Sequence, residues 1–173
     1  MADLILRRDG MAVFGDRARP CALGRGGRSI DKREGDGATP IGAWPLRRVL
    51  YRADRLRRPS TALTVTALEP GDGWCDAPAD ARYNQPVPLP YPASAETLWR
   101  PDSVYDVIVP LGFNDAPIEP GRGSAIFLHV ARPDYASTEG CVALALTDLL
   151  DYLASAQPGD RVVVEATLTT ATL

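Results

Sequence analysis

One imidazole and one reactive sulfur type stand twelve positions apart in this chain: His129, its single histidine, and Cys141. A cysteine attacks as its thiolate, so a catalytic thiol needs a base within reach, and one loop between these two residues would supply it. The stretch Ser124 to Ala131 has the β-branched and aromatic content of a strand, and at period 2 it places Ala125, Phe127 and His129 on one face. Ser137, Thr138, Glu139 and Gly140 form a small polar turn ahead of Cys141. A glycine there lets a substrate carbonyl approach closely and aims backbone N–H groups at a developing oxyanion. These residue types point to acyl transfer, with Cys141, His129 and Gly140 as the catalytic candidates. The competing reading is a small buried hydrophobe and a satisfied core histidine.

Ile126 to His129 together with Ser137-Thr138-Glu139-Gly140-Cys141-Val142-Ala143-Leu144 resembles the signature of the YkuD-type L,D-transpeptidase catalytic domain. That signature is a histidine, a spacer, then Ser/Thr-x-Gly-Cys and an apolar residue. Upstream, the span Lys32 to Trp44 is similar to the family's glycine-rich turn, with Asp36-Gly37-Ala38-Thr39-Pro40 followed by Gly42 and Trp44. The motifs come in the family's order, and the resemblance runs over residues 3 to 166. It implies a β-sandwich with one short helix after the cysteine, a Cys141 nucleophile and a His129 base oriented by a backbone carbonyl. Two positions depart from the pattern. Many members carry histidine or lysine before the Gly-Cys pair and arginine or asparagine two residues after the cysteine; this chain has Glu139 and Ala143. In the family the later residue helps hold the peptide donor. Arg132 is the candidate replacement, since a guanidinium pairs bidentately with a carboxylate, and an ordinary surface arginine is the alternative. Arg122 and Arg100 come next, and Ser137 and Thr138 join Arg132 as substrate-binding candidates.

The chemistry so implied begins with a thiolate–imidazolium pair of Cys141 and His129. Attack on an amide carbonyl of a peptidoglycan stem tetrapeptide is assisted by the N–H groups of Cys141 and Gly140, and D-alanine leaves from a thioester. Water as acceptor makes an L,D-carboxypeptidase acting in muropeptide recycling. An amine acceptor makes an L,D-transpeptidase forming 3→3 cross-links or exchanging D-amino acids, and the departures at Glu139 and Ala143 leave an inactive muropeptide-binding module as a third class. No cofactor or metal is expected, because Cys21, Cys75, Cys141 and His129 contain no close ligand pair. Ser29 to Lys32 matches Ser-x-x-Lys of penicillin-binding proteins, but no Ser-Asp-Asn or Lys-Thr-Gly follows and Lys32 is the chain's one lysine.

The elements that must position these residues read as mainly β. Asp3 to Arg8 and Met11 to Phe14 flank Asp9-Gly10, a two-residue hairpin signal. Strands are expected over Ala62 to Leu68, Val104 to Leu111, Ser124 to Ala131 and Arg161 to Leu168, with a helix over Thr147 to Ala156 capped by Thr147 and stopped at Pro158-Gly159. The 173 residues, without a linker, repeat or low-complexity tract, are expected to form a single domain over 1–173. A net charge of −3 gives no footprint for nucleic acid, and the arginines from Arg47 to Arg58 read as a solvated face. Three unpaired-looking cysteines, no 18-residue apolar run and an N-terminus interrupted by Arg7-Arg8 lead to the expectation of a leaderless cytoplasmic protein, with a periplasmic one as the alternative should a leader precede these residues.

Overall fold

Short runs of alternating apolar residues separated by Gly and Pro can bury one face each only by stacking sheets. In the computed structural model, which describes residues 2–166, they do so. In chain order the strands are β1 (Leu4–Leu6), β2 (Met11–Phe14), β3 (Arg17–Pro20), β4 (Arg28–Ser29), β5 (Thr39–Pro40), β6 (Gly42–Pro45), β7 (Val49–Tyr51) and β8 (Val65–Ala67). There follow β9 (Asp72–Cys75), β10 (Pro86–Pro88), β11 (Ala95–Thr97), β12 (Val107–Pro110), β13 (Phe127–Val130), β14 (Val142–Leu144), helix α1 (Leu146–Ser155) and β15 (Arg161–Val164). The architecture is mainly β with one helix among the described residues, as expected.

Two five-stranded sheets, ordered β3-β2-β1-β15-β6 and β14-β13-β12-β7-β8, share one apolar core. Leu4, Leu6, Val162 and Val164 come from the first, and Val107, Val109, Leu128, Val130, Val142 and Leu144 from the second. Helix α1 closes this core with Leu149, Tyr152 and Leu153, the i, i+3, i+4 stripe of an amphipathic helix. Because side chains alternate along a strand, Leu50, Ile108 and Phe127 point out of the opposite face of the second sheet. There they meet Trp74, Leu98 and Tyr105 beneath the three-stranded sheet β10-β9-β11. No helix among the described residues is long and apolar enough to cross a membrane.

Several expected boundaries shift. Arg7 N–H donates to Met11 O and Gly10 N–H to Arg7 O, so the first hairpin has a three-residue loop, Arg8-Asp9-Gly10, with Gly10 at φ +83° rather than a two-residue turn. Helix α1 starts one residue earlier than expected, at Leu146, from Ala145 and without a side-chain cap; Thr147 lies inside it. The strands over 62–68, 104–111 and 124–131 shorten to Val65–Ala67, Val107–Pro110 and Phe127–Val130: residues 62–63 and 104–105 bend or turn, and the 124–126 backbone is irregular, with Ala125 at φ +53°. The last strand ends at Val164, and Thr167 and Leu168 lie outside the described residues.

Candidate active site

Strands β13 and β14 run parallel, with His129 beside Ala143 and Leu128 beside Val142. This register aligns Cys141, just ahead of β14, with Phe127. Strand parity then sends Phe127, His129, Cys141 and Ala143 to one face, away from the sandwich core. Parallel neighbours need a long return connection, and residues 131–141 provide it: the loop carries Arg132, Ser137, Thr138, Glu139 and Gly140. A cleft of about 460 Å³ opens over this face, and His129, Cys141, Arg132, Ser137, Thr138 and Ala143 all line it.

The turn before Cys141 is held from both sides. Thr138 N–H donates to Leu23 O (2.9 Å) and Arg25 N–H to Thr138 O (2.8 Å). The Thr138 hydroxyl donates to Cys141 O (2.7 Å) and accepts from Gly140 N–H (3.2 Å). Gly140 has φ +128°, and a Cβ there would lie 2.8 Å from Ala38 O. At Gly24 a Cβ would be 2.1 Å from Gly37 O and 3.0 Å from the Gly140 Cα. The upstream glycine-rich segment thus acts as a buttress for the Cys141 turn, seated through glycines that permit backbone to touch backbone. Two expectations change. Gly140 N–H, expected to face an oxyanion, is already bonded inside the turn, and the Thr138 hydroxyl, expected to meet substrate, is used to shape it. Cys141 N–H carries no hydrogen bond among the described residues.

The buried His129 ring is oriented by Nδ1 at 2.9 Å from Val130 O. A carbonyl only accepts, so the proton sits on Nδ1 and Nε2 remains the basic nitrogen. The Tyr105 ring meets the imidazole edge-on at a centroid distance of 5.3 Å. The Cys141 thiol donates to Ala125 O (3.2 Å) and accepts from Phe127 N–H (3.4 Å); no hydrogen bond joins it to His129. Burial lowers His129 to about 4, opposed by the Val130 carbonyl and reinforced by Arg100 and Arg132. Burial, then the charge of Glu96, pushes Cys141 up to about 12. The resting pair is therefore neutral thiol and neutral imidazole, in place of the expected thiolate–imidazolium pair: desolvation penalises charge on both groups.

The rest of the lining divides by charge. Arg100, paired with Asp102 through two hydrogen bonds (2.8 and 2.7 Å), and half-exposed Arg132, 3.6 Å from the same carboxylate, form one group. Glu34, Asp76 and Glu96 also line the cleft. Tyr105 donates its hydroxyl to Glu96, whose own pKa burial raises; Ser124 and Tyr83 both donate to Glu34 Oε2. Asp76 Oδ1 is buried without a hydrogen-bond partner among the described residues. Ser137 is exposed at the rim, and Glu139 pairs with Arg25 in the solvent-exposed part of the turn. Arg122 is tied to Asp31 and Glu119 and does not line the cleft. Of the rival Ser29 and Lys32, the serine caps Asp31 N–H while the buried lysine bonds Asp36 and Arg33 O. Sequence reading missed Tyr105, Glu96, Glu34 and Asp76, which lie in turns and edge strands without motif or period; Arg100 had been named only as a later candidate.

The profile of the YkuD family, described as the L,D-transpeptidase catalytic domain, matches residues 4–164. Among solved structures, the chain is similar to an L,D-transpeptidase from Mycobacterium smegmatis, with 14% identity and a TM-score of 0.47 over 95% of this chain and 58% of that one. It is likewise similar to Mycobacterium tuberculosis L,D-transpeptidase 1, with 13% identity and a TM-score of 0.45 over 96% and 61%. The chain thus spans about three fifths of the length of those two chains. No curated protein matches.

Proposed function

Because this chain belongs to the YkuD family of L,D-transpeptidase catalytic domains, we propose that it transfers the acyl group of a peptidoglycan stem peptide through a thioester on Cys141. The observation that carries this reading is the opening of Cys141 and His129 from one sheet face into one cleft. The neutral resting pair calls for general-base attack: Nε2 of His129 takes the thiol proton as sulfur leaves Ala125 O and bonds to the carbonyl carbon. Cys141 N–H meets the developing oxyanion, and the imidazolium returns its proton to the departing amine. Arg100 and Arg132 suit the carboxylates of a stem peptide, and Glu34, Asp76 and Glu96 suit its ammonium groups.

Water is the first acceptor to consider, which makes the reaction an L,D-carboxypeptidase step that releases D-alanine. Three carboxylates in the cleft favour an amine acceptor as the second reading. The test is to incubate the protein with a disaccharide tetrapeptide and follow the products by mass spectrometry. Loss of D-alanine supports hydrolysis, and a cross-linked dimer or an exchanged D-amino acid supports transpeptidation. An unchanged substrate that nonetheless binds means that the chain is a muropeptide-binding module.

A further inference from the structure

Asn84, in the turn between β9 and β10, does not line the cleft and takes no part in the chemistry above. Its side chain is buried, and all its hydrogen-bonding capacity is engaged. Oδ1 accepts from Trp74 Nε1 and from Ala125 N–H, both at 3.0 Å, while Nδ2 donates to Phe113 O (3.2 Å) and Asn114 O (2.8 Å). Three separate segments, β9, the 113–114 turn and the entry to β13, therefore converge on one amide. The Ala125 contact is the informative one. Ala125 has φ +53°, a left-handed conformation that costs an alanine free energy and persists where neighbours over-determine it. Its N–H is held by Asn84, and its carbonyl, facing the other way, is the acceptor of the Cys141 thiol at 3.2 Å. The preceding residues are held independently, by Tyr83 Oη accepting from Gly123 N–H (3.0 Å) and by Ser124 bonding Glu34.

We propose that Asn84 is a positioning residue for the nucleophile: by holding Ala125 in its left-handed conformation it sets the carbonyl that aims the Cys141 thiol and retains its proton until substrate displaces it. The proposal rests on Cys141 being the nucleophile. No bond is made or broken by Asn84; the thiol proton passes from its hydrogen bond with Ala125 O to His129 Nε2 as the carbon–sulfur bond forms. Losing the clamp removes the acceptor of the neutral thiol, so sulfur becomes easier to ionise yet is no longer aimed.

The test is the pH profile of Cys141 alkylation by iodoacetamide, followed by intact-protein and peptide mass spectrometry, alongside kcat and KM for the tetrapeptide. In Asn84→Ala, Cys141 alkylation at pH 8 should be about five- to tenfold faster, with the profile moved to lower pH, and kcat should fall at least about tenfold with KM little changed. Tyr83→Phe, which loosens the same segment without touching Ala125 N–H, should leave the profile in place. Ala125→Gly keeps the carbonyl and the Asn84 bond and relieves the left-handed strain, so its profile should stay with that of the parent. Asn84→Ser, whose shorter side chain does not span to both Trp74 and Ala125 N–H, should shift the profile as Asn84→Ala does and decides the matter if Asn84→Ala does not fold. An unmoved profile in folded Asn84→Ala or Asn84→Ser overturns the proposal, as does an equal shift in Tyr83→Phe. Full turnover by Cys141→Ser would instead overturn the nucleophile assignment, an outcome that the alkylation readout does not depend on.

Discussion

His129 and Ala143 are register partners on parallel strands, and Cys141 stands two residues before that pairing on the same face. The imidazole and the thiol are thus placed diagonally by backbone pairing, and the side chain directly beside the imidazole is the methyl group of Ala143. A small residue at 143 leaves the cleft open above His129 where a long cationic side chain would fill it. The cations that line the cleft come from other segments: Lys32, Arg100 before β12 and Arg132 after β13.

Cys141→Ser should abolish turnover, whereas Cys21→Ala and Cys75→Ala should retain most of it. Cys21 donates to Gly10 O, Cys75 is fully buried at the end of β9, and neither lines the cleft. Steady-state assays of the three variants check this, and activity in Cys141→Ser ends the assignment.

The acid limb of stability should depend on His129. Its folded pKa of about 4 lies below the ordinary value of 6.5, so the unfolded chain binds the proton more tightly. The stabilisation from keeping this ring neutral is complete above 6.5 and is lost as pH falls through 4, to the extent of about 3 kcal/mol. Cys141 has the opposite sign: its raised pKa contributes stability that is present below 9 and lost as pH rises toward 12. Urea midpoints of His129→Gln should therefore decline less between pH 7 and 4 than those of the parent; parallel curves would show that the ring does not sense this burial.

Gly140→Ala should destabilise the protein and reduce kcat together. The positive φ alone costs an alanine roughly 1–3 kcal/mol, and the new Cβ would lie 2.8 Å from Ala38 O. Thr138→Val tests the same turn from within, since it removes the hydroxyl bridging Gly140 N–H and Cys141 O, at a cost of about 1–3 kcal/mol; Thr138→Ser should recover most of the loss. Wild-type melting and turnover in both Gly140→Ala and Thr138→Val would show that the turn tolerates movement.

Arg132→Ala should raise KM for a tetrapeptide with a free terminal carboxylate and leave its C-terminal amide nearly unaffected. The side chain is half exposed, so the effect should be about 1 kcal/mol. Arg100→Ala should cost more, because its guanidinium is fixed by Asp102 and packs 5.2 Å from the Tyr105 ring centroid. Equal penalties on acid and amide would move the carboxylate site off this wall.

Much of the site was legible in the sequence because it depends on local order. Parity along Phe127 to His129 set the face, the Gly140-Cys141 pair set the turn, and the interval between His129 and Cys141 set a single loop able to bring the two together; the parallel pairing of β13 and β14 came from the structure. The helix, read from leucines at 149, 150 and 153, and the mainly β character rest on the same short-range periodicity, though the buried stripe is Leu149, Tyr152 and Leu153 with Leu150 only partly buried. What only the tertiary structure decided involves residues far apart in the chain. Glu96 reaches the cleft from β11 and Tyr105 from the turn before β12, the Gly24 and Gly37 backbones seat the Cys141 turn, and Asn84 meets Ala125 from the turn between β9 and β10. The charge state of the pair belongs with these. A thiol and an imidazole side by side suggest an ion pair, but their protonation follows solvation, and solvation is set by the layers packed over both groups.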